Sequence, residues 1–162
     1  MGFLYDCTNP PPPRLSCTRR PVDHRFNLAP AAMTRTALLL AAGLGFLAVL
    51  AGTFGAHGLE GRVDPRDLPT YETGVRYLMF HALALLAAAS TLPRLGRAGA
   101  AVLVLWPVGS LIFFGTLAGL TLTGLRWLGA VTPLGGLCLL LGWIALAVGA
   151  RRHAKPAVVG DR

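Results

Sequence analysis

The chain reads as an all-α protein, a four-helix transmembrane bundle, and three observations lead there. Of its 162 residues 54% are hydrophobic and only 14% charged, against the roughly 25% charged residues usual in soluble domains. Mean hydropathy is +0.58. The apolar residues also gather into four blocks free of Asp, Glu, Lys and Arg, at 36–59, 77–93, 98–125 and 127–150. So few charges cannot cover one soluble domain of this length. The composition excludes disorder and collagen-like repeats, and three cysteines are too few for a disulfide scaffold. The net charge of +8 comes from basic residues scattered between apolar blocks. They form no continuous patch, which argues against nucleic acid as a partner and leaves the lipid bilayer.

Residues 1–32 differ from the rest. They hold a four-proline run at 10–13, Arg14, Arg19, Arg20, Arg25, Cys7 and Cys17, and no apolar stretch. A signal peptide needs an apolar core of about 7–15 residues, which is lacking here. A twin-arginine signal would need an apolar follow-on, and an amphipathic presequence is opposed by the prolines. The segment reads as a disordered Pro/Arg-rich tail or as a non-native upstream extension. Met33-Thr34-Arg35 before an apolar run has the look of a natural start for an inner-membrane protein.

The membrane domain is expected over 33–152, with helices at about 36–58, 70–92, 98–122 and 128–150, and a cytoplasmic tail over 153–162. Crossing about 30 Å of hydrocarbon takes about 20 apolar residues at 1.5 Å each. The first, third and fourth blocks reach that length. The second has seventeen residues and spans only if its first turn, around Thr73 and Arg76, lies among the headgroups with Arg76 reaching toward water. A buried or re-entrant helix is the alternative. The loop 60–72 carries Glu60, Asp64, Asp67 and Glu72 among Arg62 and Arg66. Asp64-Pro65 and Leu68-Pro69 each place a proline where a helix can begin, so a short helical turn at the membrane surface and then a helix from about Pro69 or Thr70 are expected. Glu72 and Arg76, four apart, share a face.

Basic residues set the threading. With both termini cytoplasmic, the inner side holds Arg35, Arg94, Arg97, Arg151, Arg152, Lys155 and Arg162, and the outer side Arg62, Arg66, Arg76 and Arg126. The excess favours that orientation in a multi-pass protein of the bacterial inner (plasma) membrane.

Within the spans, close approach of small residues matters more than hydrophobic contact. Helix 1 offers Ala41, Gly45, Ala48, Gly52 and Gly55, and helix 3 a GxxxG at Gly115 and Gly119. Packing within one monomer is the first reading of these, and self-association through Gly115 and Gly119 the second. Pro107 marks a kink and Pro133 a helix start. Trp127 beside Arg126 reads as an interfacial anchor, as do Trp106 and Trp143 near their own span ends. His57 closes helix 1, and His81 lies inside helix 2 one turn after Tyr77. Intramembrane ionisable groups usually face the bundle interior. Haem ligation by the two histidines is opposed by their different depths. A zinc site lacks ligands, since Cys138 alone joins them. No cofactor and no metal are expected, and no hydrolase, Walker A or dinucleotide motif occurs.

Four pieces of the sequence carry a family resemblance. They are GTFGAHGL at 52–59, YETGVRYLMFHALALL at 71–86, LIFFGTLAGLTLTG at 111–124, and LGAVTPLGGL at 128–137 followed by Gly142-Trp143. With GAHGL, Y-x-x-x-H-A-L and TPxGG in this order, the chain resembles the uncharacterised four-span inner-membrane family that includes YgdD and YwdK, over about 36–150. In one place it departs. The family pattern F-S-G-S-L-Y stands here as FFGTLA at 113–118. Phe114 and Ala118 thus replace a hydroxyl and a phenol, and any polar cleft along helix 3 is drier in this member. The resemblance implies a four-helix integral membrane protein and no reaction. The expected function is non-enzymatic, structural or accessory to a membrane assembly. The alternative is a small transporter or channel component using His57, Arg76 and His81. Candidate polar or motif residues are His57, Glu72, Arg76, Tyr77, His81, Thr132 and Pro133.

Overall fold

The computed structural model describes residues 24–153. Its elements are α1 (His24–Gly58), α2 (Leu68–Ala88), a 3₁₀ turn (Leu92–Leu95), α3 (Arg97–Thr123) and α4 (Leu128–His153). The tail beyond 153, Lys155 and Arg162 included, and the proline run and cysteines before 24 lie outside the described residues. Among these elements α1, α3 and α4 are long and apolar enough to cross a membrane. In α2, Glu72, Arg76 and His81 lower the hydropathy, although its 21 residues measure about 31 Å at the helical rise.

Three boundaries differ from those expected. Helix α1 begins at His24 rather than near 36. Leu28, Ala31, Ala32 and Met33 are good helix formers, and no glycine separates them from the apolar block. Helix α2 stops at Ala88 rather than near 92. Pro93 has no N–H to give the Ala89 carbonyl, and its ring would press on that carbonyl in a continued helix. The last turn therefore tightens, with Ala89 N–H donating to Leu86 O (3.3 Å) and Thr91 N–H to Ala88 O (2.8 Å). Between α1 and α2 the chain forms hydrogen-bonded turns, not a helical segment. Asp64 accepts from Arg66 N–H on its side chain (2.9 Å) and from Asp67 N–H on its carbonyl (2.9 Å). Gly124, at φ +69°, ends α3 in the left-handed region and donates its N–H to Leu120 O, a conformation that costs glycine no Cβ clash.

The helices run alternately up and down. Tyr71 at the start of α2 meets Ala51 and Leu59 late in α1, while Leu85 and Ala89 meet Ala37 and Ala41. Helix α2 packs between α1 and α3, α4 packs on α3, and the 3₁₀ turn closes one end beneath α1, α3 and α4. Helix α4 makes extended contact with no helix except α3. The bundle is therefore an open row. Among the described residues, all four helices contribute to one buried cluster that includes Ala41, Leu85, Val102, Trp106 and Leu139.

Where the helices touch, glycine sets the distance. A Cβ on Gly135 would stand 2.6 Å from the Phe113 nitrogen, and one on Gly109 3.0 Å from the Gly135 carbonyl oxygen, so α3 and α4 meet backbone to backbone. A Cβ on Gly55 would strike the Tyr71 ring, and one on Gly142 the Trp106 indole. The expected small-residue face of α1 is present, with Ala41, Ala48 and Ala51 buried and Gly45 and Gly52 turned toward Ala82 and Val75 of α2. The GxxxG reading needs correction. Gly115 is exposed and faces open space, and Gly119 meets only the Leu128 side chain. The close backbone approach of α3 to α4 is carried instead by Gly109, six residues before Gly115. Trp106 is also no interfacial anchor. It is 0% exposed, because Gly142 leaves the space its indole fills.

Gly135→Ala is therefore expected to lower the thermal unfolding midpoint in detergent, with an overpacking cost of about 1–3 kcal/mol. Gly115→Ala is expected to be neutral or to stabilise by up to about 1 kcal/mol through helix propensity. Equal effects of the two would contradict the close α3–α4 approach.

Candidate functional site

Helix α2 carries five of the candidate polar groups, Tyr71, Glu72, Arg76, Tyr77 and His81, and its position between α1 and α3 divides them over two sides. Toward α1 lie Glu72 and Arg76, an exposed pair at 3.7 Å one helical turn apart, as their spacing predicts. Such a pair contributes about 0.3–0.5 kcal/mol when solvated. They border a cleft of about 350 Å³ with Gly52, Gly55, Tyr71 and Met79. Tyr71 is buried there and donates its hydroxyl to Ala51 O at 2.9 Å.

His81 looks the other way, into a cleft of about 400 Å³ formed with Tyr77, Phe113, Pro133, Leu140 and Trp143. It is 6% exposed, and both of its ring nitrogens are engaged. Nδ1 lies 2.9 Å from Tyr77 O, and Nε2 lies 3.3 Å from Trp143 Nε1. A carbonyl only accepts and an indole N–H only donates. The partners therefore select the neutral imidazole with its proton on Nδ1, which donates to Tyr77 while Nε2 accepts from Trp143. Aromatic rings enclose this pair. Tyr77 stacks over His81 at 6.2 Å and contacts Phe113 at 4.7 Å. Trp106 and Trp143 present edges to the imidazole at 6.0 and 6.2 Å and touch each other at 4.7 Å.

The expected polar region of His57, Arg76 and His81 is not one site. Arg76 and His81 border clefts on different sides of α2, and His57 is exposed at the end of α1 and lines neither. The Nε2 lone pair that would bind a metal is taken by Trp143, and among the described residues no three His, Cys, Asp or Glu side chains converge.

The remaining candidates join α3 to α4. Thr132 and Thr116 share a hydroxyl hydrogen bond at 2.9 Å; with one proton each, Thr116 donates to Ile112 O at 2.9 Å and Thr132 donates to Thr116 Oγ1, closer than its own-helix Leu128 O at 3.3 Å. Pro133 sits in the second turn of α4, which starts at Leu128, and borders the His81 cleft. The TPxGG motif is thus a docking device: Thr132 supplies the hydrogen bond, Pro133 a wall and Gly135 the close approach. The positions of the missing hydroxyl and phenol, Phe114 and Ala118, are filled by packing. Phe114 meets the Tyr71 ring edge-on at 5.9 Å, and Ala118 is buried in the same cluster.

Sequence reasoning missed the partners Trp143, Trp106, Phe113 and Thr116. One signal was available for Trp143, since an intramembrane imidazole and an indole N–H each require a partner. Trp106 Nε1 and Ser110 Oγ are buried with no protein partner among the described residues.

Trp143→Phe removes the donor to His81 Nε2 and is expected to destabilise by about 1–3 kcal/mol. In a His81→Leu background the same change is expected to cost measurably less, because the orphaned acceptor is gone. Thermal unfolding of the single and double variants in detergent measures this, and additive losses would contradict the bond.

Comparison with known proteins follows the same motifs. Residues 51–136 match the family model described as Protein of unknown function (DUF423). The chain is 39% identical over 118 residues to UPF0382 membrane protein YwdK of Bacillus subtilis, covering 72% of this chain and 96% of the relative. It is 38% identical over 112 residues to a UPF0382 membrane protein of Haemophilus influenzae, covering 69% and 90%. It is 37% identical over 118 residues to UPF0382 membrane protein SSP2132 of Staphylococcus saprophyticus, covering 69% and 93%. No solved structure matches. With more than half its length matched and several relatives above 35% identity, the chain, an integral membrane protein, belongs to the DUF423 family, whose activity is unknown.

Proposed function

We propose that this protein is a non-enzymatic component of the bacterial inner membrane, structural or accessory to a larger assembly, with four spans and both termini in the cytoplasm. One observation carries the reading: apart from Ser110 and the Trp106 indole, the polar groups taken into the bundle hold helices together. Tyr71 ties α2 to α1, Thr116 and Thr132 tie α3 to α4, and Trp143 ties α4 to His81 of α2. Thr121 donates to Asp67 O at the start of α2. Among the described residues no buried hydroxyl or thiol is paired with a base, as nucleophilic catalysis requires. The charged side chains stand at the two ends.

Those ends differ, and this supports the threading. The end bearing the 3₁₀ turn has Arg35, Arg94, Arg97, Arg151 and Arg152 and, among the described residues, no acid. The opposite end sets Arg62, Arg66, Arg76 and Arg126 against Glu60, Asp64, Asp67 and Glu72. A positive end faces the cytoplasm. The second helix reaches full span with the Glu72–Arg76 pair among the outer headgroups.

Three expected outcomes test this. A phosphatase reporter fused after His153 is expected to stay inactive, and a fluorescent reporter there to mature; the opposite pair would reverse the threading. Cross-linking in intact membranes is expected to capture one reproducible set of protein neighbours. His57→Ala and His81→Ala are expected to weaken that capture or lower stability without altering ion or solute flux in proteoliposomes. Flux that depends on either histidine would favour the transporter instead.

A further inference from the structure

Three clefts follow one another along the α4 side of the bundle. Trp143 borders both the His81 cleft and a second one of about 400 Å³ below it, walled by Ala84 and Ala88 of α2 and Leu146 of α4 and floored by Trp106. Thr91 and Ala150 border that second cleft and also a third, of about 280 Å³, whose other walls are Arg94, Leu95 and His153. The groove exists because α2 and α4 both rest on α3 without extended contact with each other. The alanines of α2 keep its wall low.

We propose that this groove is a binding site for an anionic phospholipid, with an acyl chain lying between α2 and α4 and the phosphate at Arg94, Thr91 and His153. The groove is apolar along its length and cationic at its mouth. Arg94, Arg97, Arg151 and Arg152 surround that end with no acidic side chain among the described residues, so the charge there suits an anion on an apolar tail. Thr91, exposed beside Arg94, adds a hydroxyl donor for a phosphate oxygen. From Ala150 to Leu140 is ten residues, about 15 Å of helix, which is half of a hydrocarbon core of about 30 Å. One leaflet's chain therefore runs from the mouth to the Trp143 indole and ends at the His81 cleft. Basic pockets between transmembrane helices hold lipid phosphates in this way. The proposal goes beyond the accessory role and does not depend on which end faces the cytoplasm.

Native mass spectrometry of the full chain in detergent, delipidated and then titrated with phosphatidylglycerol or phosphatidylethanolamine, provides the test. Wild type is expected to retain phosphatidylglycerol preferentially. Arg94→Gln is expected to weaken that binding about fivefold, the effect of one charge near an anionic headgroup, while Arg94→Lys retains it. Ala88→Phe, which fills the groove, is expected to abolish binding of both lipids, with thermal unfolding confirming that each variant is folded. Excess glycerol phosphate is expected not to compete, because it lacks the chain. Equal retention of the two lipids by wild type would overturn the proposal. So would binding unchanged in Arg94→Gln and Ala88→Phe, effective competition by glycerol phosphate, or a dimer that Ala88→Phe disrupts in the absence of lipid.

Discussion

Lipid gives helices little reward for burying apolar surface against one another, since the tails are as apolar as the side chains. Everything that holds this protein together follows from that constraint. Association has to come from close approach and from hydrogen bonds, and the chain supplies both at the same places. At the α3–α4 interface Gly135 brings the backbones together and Thr116 bonds Thr132 one turn away. At the α1–α2 interface Gly55 admits the Tyr71 ring, whose hydroxyl reaches the Ala51 carbonyl. Each small residue sets a distance at which the neighbouring polar group can find its partner. Outside the membrane such bonds would compete with water; within it an unmade one is a direct loss.

The family motifs acquire physical meaning in this light. GAHGL places Gly55 where an aromatic ring must pass. The segment YETG brings that ring and then Gly74, beside which the backbone of Phe114 lies 3.3 Å from where a Cβ would be. TPxGG combines a hydroxyl, a wall and a backbone contact within five residues. Each motif marks a point where one helix meets another. The exception is His81, which bonds across a gap to Trp143 and holds α4 to α2 where their backbones do not meet. A neutral imidazole is well suited to that task, offering one donor and one acceptor at fixed angles.

The open row has a consequence for the surface. Closing a ring of helices would bury the α2–α4 side, and here it is left as a groove with aromatic rings at its floor and arginines at its mouth. The opposite end balances acids against arginines and so carries no comparable field. The molecule is thus polarised along its axis, and the third of the clefts on the α4 side opens at its positive end.

The sequence by itself determined the helical class, the approximate spans, the membrane environment and the asymmetry of charge, because each depends on local composition and on the rise of a helix. It also determined the Glu72–Arg76 pair and the shared side of Tyr77 and His81, which need only the helical period. Only the tertiary structure decided which small residues carry contacts. Gly109 and Gly115 are equivalent as sequence, yet one touches α4 and the other faces outward, because helix rotation is set by all neighbours together. The separation of Arg76 from His81 follows from the helical period, since five residues put them about 140° apart, but which neighbour each side of α2 faces was decided by packing. It also turns Trp106 inward and makes Trp143, sixty-two positions away, the partner of His81.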